Sequence, residues 1–88
     1  MKLNKSLLID NYDEIFVDRE FIGMTKSGVL FRTVVEISGR LYAFDHESHP
    51  LLDCFALCPD QIDAEEVWER DEVVNAYFTE KELSELHA

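Results

Sequence analysis

The feature that most constrains the fold is a run of strict alternation, a turn signal and a second run. Val29, Phe31, Thr33, Val35 and Ile37 alternate with Leu30, Arg32, Val34 and Glu36, a period of two that suits a pleated strand. Ser38-Gly39 follows, and glycine accepts the positive φ that two-residue hairpin loops demand. With those residues as the loop, Ile37 faces Arg40, Val35 faces Tyr42, Thr33 faces Phe44 and Phe31 faces His46. The same register sets Arg32 opposite Asp45 on the other face. Ser27-Gly28 marks a second hairpin, in which Met24 would face Phe31, Ile22 would face Thr33 and Arg19 would face Glu36. The pattern predicts three strands, over about 14–25, 29–38 and 40–46.

The remainder reads mainly as helix. Pro50 and Pro59 bracket Leu51 to Cys58, a segment long enough for two helical turns. Asp63 followed by Glu66 has the form of an N-cap with an acid three residues on, which predicts a helix from Ala64 to about Arg70. Beyond Arg70, either the helix runs on through Val74 and Phe78 or Glu72–Phe78 forms a fourth strand; the β-branched pair Val73-Val74 and the aromatic pair Tyr77-Phe78 favour the strand. Thr79 and Glu82 repeat the capping pattern before a short terminal helix over Lys81 to His87. Leu3, Leu7 and Leu8 are placed on one helical turn against the sheet. The expected fold is a single α+β domain over residues 1–88, with a small antiparallel sheet of three to four strands and short helices at the C-terminal side.

Composition narrows the function. The chain has 88 residues, of which 47% are hydrophobic, the balance of a globular domain rather than a disordered one. Its 19 acids and 8 Lys and Arg give a net charge of −11, which counts against direct binding to nucleic acid or anionic membranes. Residues 1–59 hold nine acids and six bases, a net of −3, whereas residues 60–88 hold ten acids and two bases, a net of −8. No apolar run approaches the roughly 20 residues of a membrane helix. Leu7-Leu8-Ile9 is too short for a secretory signal, so a cytoplasmic location with free thiols at Cys54 and Cys58 is expected.

Two constellations invite chemistry. His46, His49, Cys54 and Cys58 are ligand types that zinc prefers, but their spacing, H-x2-H-x4-C-x3-C, is not a common zinc pattern. The alternative is an apolar plug of Leu51, Leu52, Cys54, Phe55, Leu57 and Cys58. A Cys–His nucleophile pair lacks any third orienting group, and the three glycines form no phosphate-cradling loop. A binding protein without cofactors, rather than an enzyme, is the expectation.

The second constellation is the acidic segment. Asp60, Asp63, Glu65, Glu66, Glu69, Asp71 and Glu72 surround Trp68, and Glu80, Glu82 and Glu85 follow. On a helix, Glu65, Glu69 and Glu72 would share one face, presenting fixed anions at a spacing of the same order as DNA phosphates. Trp68 would supply an aromatic anchor within that charge. In size and acidity the chain is similar to phage-borne inhibitors of host defence enzymes, anti-CRISPR proteins and DNA mimics among them. That likeness is one of composition, and implies a viral inhibitor filling the basic groove of a nucleic-acid-handling protein. The alternative is an assembly module whose sheet face of Leu30, Val34, Leu41 and Ala43 docks a partner or a second copy as a homodimer.

Overall fold

A computed structural model describes residues 1–69 and 77–86. Two antiparallel sheets form its frame. The larger has five strands in the order β2-β3-β4-β6-β7, from β2 (Phe16–Met24), β3 (Val29–Ile37), β4 (Arg40–Ser48), β6 (Glu65–Glu69) and β7 (Tyr77–Thr79). The smaller pairs β1 (Lys2–Asn4) with β5 (Gln61–Asp63). Helices α1 (Lys5–Asp10) and α2 (Tyr12–Ile15) precede β2, and α3 (Glu80–Leu86) follows β7. The α+β class stands, but the strands exceed the expected three to four, and two of the helices lie near the N-terminus.

The β3–β4 hairpin has the predicted register: Ile37 pairs with Arg40, Val35 with Tyr42, Thr33 with Phe44, Phe31 with His46 and Arg32 with Asp45. Its loop residues Ser38 and Gly39 have φ of 54° and 78°, the double left-handed geometry that matches strand twist. The β2–β3 hairpin differs. Its loop is four residues long, closed by Thr25 N–H donating to the Gly28 carbonyl at 2.8 Å and by Gly28 N–H donating to Thr25 Oγ1 at 2.9 Å. Met24 therefore pairs with Val29, and irregularities between Phe21 and Gly23 and between Phe16 and Asp18 shift the rest, so that Arg19 faces Thr33. Each extra residue is a bulge that flips the faces beyond it.

Gly28 is fixed by close approach: a Cβ there would run into the Ser48 backbone carbonyl. Gly28→Ala is expected to cost roughly 1–3 kcal/mol, read as a lower urea midpoint, while Gly23→Ala, which meets no atom within 4 Å, serves as the tolerant control.

Where a helix from Ala64 to about Arg70 is expected, Glu65–Glu69 is instead strand, with Leu41, Tyr42 and Ala43 paired with Val67, Glu66 and Glu65; residue 70 lies outside the described residues. Packing explains the override. Ala64 is buried in one core cluster and Val67 in another; three residues apart they would share one helical stripe, whereas extended chain turns them to opposite sides. The capping pattern at Asp63 is outvoted by ladder bonds and by burial on two sides.

The main core lies between one face of the large sheet, called here the covered face, and the elements packed over it. Val35, Tyr42 and Phe44 from the sheet meet Leu3, Leu8, Phe55, Cys58, Ile62 and Ala64. Asn4 caps α1 by accepting from the N–H groups of Ser6 and Leu7 at 2.9 and 3.3 Å, which turns Leu8 inward while Leu7 stays exposed. Residues 49–58 form successive i→i+3 turns, closed at His49–Leu52, Asp53–Ala56 and Phe55–Cys58, and no α-helix. Only Phe55 and Cys58 of the expected plug are buried, whereas Leu51, Leu52 and Leu57 point out. Of the fourth strand expected at 72–78, Tyr77 and Phe78 lie in β7 and the rest fall outside the described residues. Thr79 Oγ1 accepts from Glu82 N–H at 3.3 Å, the predicted cap of α3.

Candidate functional site

The eight residues singled out from the acidic segment separate in space. Asp60 and Asp63 flank or end β5, where Lys5 Nζ lies 3.9 Å from Asp60 and Lys2 Nζ lies 2.6 Å from Asp63. The hydrogen bond and charge of Lys2 hold the Asp63 carboxyl below its usual range. Glu66 points to the covered face and sits 3.7 Å from Arg40. Trp68, opposite Phe78 and 38% exposed, projects to the same side. Glu65 and Glu69 lie on the opposite face. Asp71 and Glu72 fall outside the described residues.

Register identifies what shares that opposite face. Residues paired with or alternating in phase with Val34 and Ala43 point there, because those two are buried in a cluster apart from the main core. From β2 this set includes Asp18 and Glu20, from β3 Glu36, from β4 Asp45 and Glu47, and from β6 Glu65 and Glu69. Seven carboxylates therefore occupy one side of the sheet. Among the described residues of these strands, the one cation on that side is Arg32, bound to Asp45 at 3.6 Å. Glu47 is half-buried and accepts from the Thr25 hydroxyl at 3.3 Å; the other six are exposed.

Between the carboxylates, Val34, Ala43 and Val67 close a small apolar floor with Leu41 and Tyr77. Burial, then Glu69, then Asp18 raise the pKa of the Tyr77 hydroxyl. Asp18 and Tyr77 belong to the two edge strands, which in a flat five-stranded sheet would lie about 19 Å apart. The Asp18 charge nonetheless reaches the Tyr77 hydroxyl, so the carboxylates of this face act on one another's surroundings across the sheet. Of the apolar set Leu30, Val34, Leu41 and Ala43, which the sequence offers as an alternative docking face, Val34 and Ala43 are buried in this floor, Leu41 packs against it, and Leu30 is half-buried on the same face.

Asp18, Glu20, Glu36, Asp45 and Glu47 were not among the residues expected at the site. Their signal was present in the alternation: the predicted β3–β4 register already placed Glu36 and Asp45 on the face opposite Val35 and Phe44. These acids are sparse along the chain and become dense only through space, when the strands pair.

The His/Cys constellation is structural in its contacts. His46 is 5% exposed, with its Nε2 2.7 Å from Thr33 Oγ1 and its ring against Phe31, Phe44 and Phe55. His49 Nδ1 accepts from Leu51 N–H at 3.1 Å, closing a turn. Cys54 Sγ receives the Arg19 guanidinium at 3.6 Å, and burial pushes the Cys58 thiol up to about 11, too high for a thiolate nucleophile. Among the described residues, no three His, Cys, Asp or Glu side chains converge on a common point.

Burial also lowers the pKa of His46, and the Arg19 charge adds to the effect, against the opposing influence of the Glu47 carbonyl and Asp45. The fold thus favours the neutral ring while the unfolded chain takes up a proton near pH 6.5. Stability from this group is complete above that pH and declines as pH falls through it toward the lower folded pKa, by at most about 1.4 kcal/mol per pH unit. Between pH 7.5 and 5.5 the wild type is expected to lose more stability than His46→Gln, measured by urea unfolding.

Comparison with protein-family models, with curated proteins and with solved structures finds no match to the chain. Among the described residues, no helix is long and apolar enough to cross a membrane.

Proposed function

We propose that the chain is a small acidic binding protein whose carboxylate-bearing sheet face occupies a positively charged site on another protein, one that handles DNA or RNA. The observation that carries this reading is the ratio, among the described strand residues, of seven carboxylates to one guanidinium on a single face. Neighbouring strands lie about 4.8 Å apart and same-face residues along a strand about 6.7 Å apart. The face therefore presents a two-dimensional array of fixed anions at a spacing comparable to that of nucleic-acid phosphates. Opposite fields would make association fast and salt-sensitive.

Filling the groove excludes the polyanion, so inhibition follows without chemistry. Small acidic phage antagonists of host defence enzymes are the compositional analogue. A merely solvated face would also be acidic, since charge aids solubility, but it would bind no one surface in preference to another. The deciding experiment is capture from lysate at low salt followed by elution with short duplex DNA. Release by DNA of a nucleic-acid-binding protein supports the reading. Capture that DNA does not disturb counts against it.

A further inference from the structure

Among the described residues, strand β2 lies at the edge of the five-stranded sheet, yet it carries Phe16, Val17, Phe21, Ile22 and Met24 exposed, Phe21 at 59% and Met24 at 75%. Long apolar edge strands invite pairing with another chain, and proteins usually blunt them with lysine, proline or short length. Here the blunting is slight. The irregularities lie at either end and leave Asp18–Phe21 in continuous register with β3. The cation of this window does not guard the edge, because Arg19 folds back over the Phe31 ring at 4.3 Å and onto Cys54.

Within the window the two faces differ in chemistry. Asp18 and Glu20 point to the acidic side, while Arg19 and Phe21 point to the covered side. There a cavity of about 310 Å³ opens between the β2–β3 pair and the turn carrying Pro50 and Leu52. A second copy of this chain suits the edge poorly. A two-fold antiparallel pairing sets one β2 residue against its own image, and centring it on residues 18–20 opposes like charges. Each copy also carries −11, so their fields repel.

A cationic strand has the complementary chemistry. We infer that β2 receives an extended segment of the partner as a sixth strand, one in which Lys or Arg alternates with apolar residues. Its cations lie over Asp18 and Glu20, its apolar side chains over Phe21 and the neighbouring cavity, and its backbone bonds to the free edge. This rests on the acidic-face reading above and adds to it the element that makes main-chain contact.

The test uses three synthetic heptapeptides with the full-length protein in low salt. One is acetyl-Lys-Val-Lys-Leu-Lys-Val-Lys-amide, one is the same peptide N-methylated at its interior amides, and one is heptalysine. Titrations are followed by amide chemical shifts and hydrogen exchange. The alternating peptide is expected to bind about tenfold tighter than heptalysine despite its lower charge, and N-methylation should cost about tenfold or more. Hydrogen exchange should slow at residues 18–21, and the neutral Glu20→Gln, which sets no like charge against Arg32 across the β2–β3 pair, should weaken binding with little change in the unfolding midpoint. Equal binding of the methylated peptide, or unchanged exchange along β2, overturns the strand-addition site while heptalysine binding leaves the acidic-face reading standing. Absence of binding by all three peptides overturns both.

Discussion

Phe55→Ala is expected to destabilise the protein by about 3–5 kcal/mol, a large fraction of what a domain of this size possesses. Phe55 is 1% exposed and stands on the only buried stretch of the turns at 49–58 that reaches the aromatic cluster. Its ring centroid lies 5.5 Å from Tyr12, 5.7 Å from Phe44 and 5.0 Å from His46. Truncation removes a ring from a site walled by other rings and by the β1–β5 pair, so collapse cannot fill the void. It also strips one wall from the Thr33–His46 pair, whose buried hydrogen bond depends on exclusion of water. At about 4–8 °C per kcal/mol, the melting temperature should fall by well over about 10 °C. Leu51→Ala, four residues earlier and 86% exposed, should change it by less than about 0.5 kcal/mol. Equal effects of the two substitutions in thermal unfolding would show that the turns do not plug the core through Phe55.

That contrast also shows what could be read from the sequence and what could not. The β3–β4 hairpin was legible because its determinants are local: a two-residue loop with Gly39 in the left-handed region and unbroken alternation on either side. The β2–β3 register was not. Gly28 looks like a turn glycine, but its place is fixed by the Ser48 carbonyl twenty residues away, and the extra residues at the bulges leave no mark in a pattern already apolar on both faces. The segment 64–69 failed for a related reason. Asp63 and Glu66 satisfy a capping rule that knows nothing of β4, and the opposite burial of Ala64 and Val67 emerges only once the sheet is assembled. The turns at 49–58 are less legible: six apolar side chains suggest a buried plug, but the space over the covered face admits Phe55 and Cys58, takes Cys54 at its margin and leaves the three leucines outside.

The acidic surface is the place where this difference matters for function, and it yields the prediction with the largest effect on binding. Glu36 from β3 and Glu65 and Glu69 from β6 share one sheet face and are exposed, with no ion pair to any described lysine or arginine. Reversing all three to lysine is expected to weaken binding to a DNA-releasable partner by roughly 10- to 100-fold at low salt, because each attractive contact becomes a repulsive one. The loss should appear chiefly in the association rate and should shrink as salt is added. Net charge alone would change affinity as well, so the comparison is a second triple variant, Asp10, Asp13 and Glu14 to lysine. Those residues are exposed on or beside the helices over the covered face, and their reversal alters the total charge by the same amount. If a shared face is what the partner reads, the helix variant should retain affinity to within about threefold while the sheet variant loses it. If both fall together, the partner responds to the overall field, and the arrangement of carboxylates on the sheet has no special part in recognition.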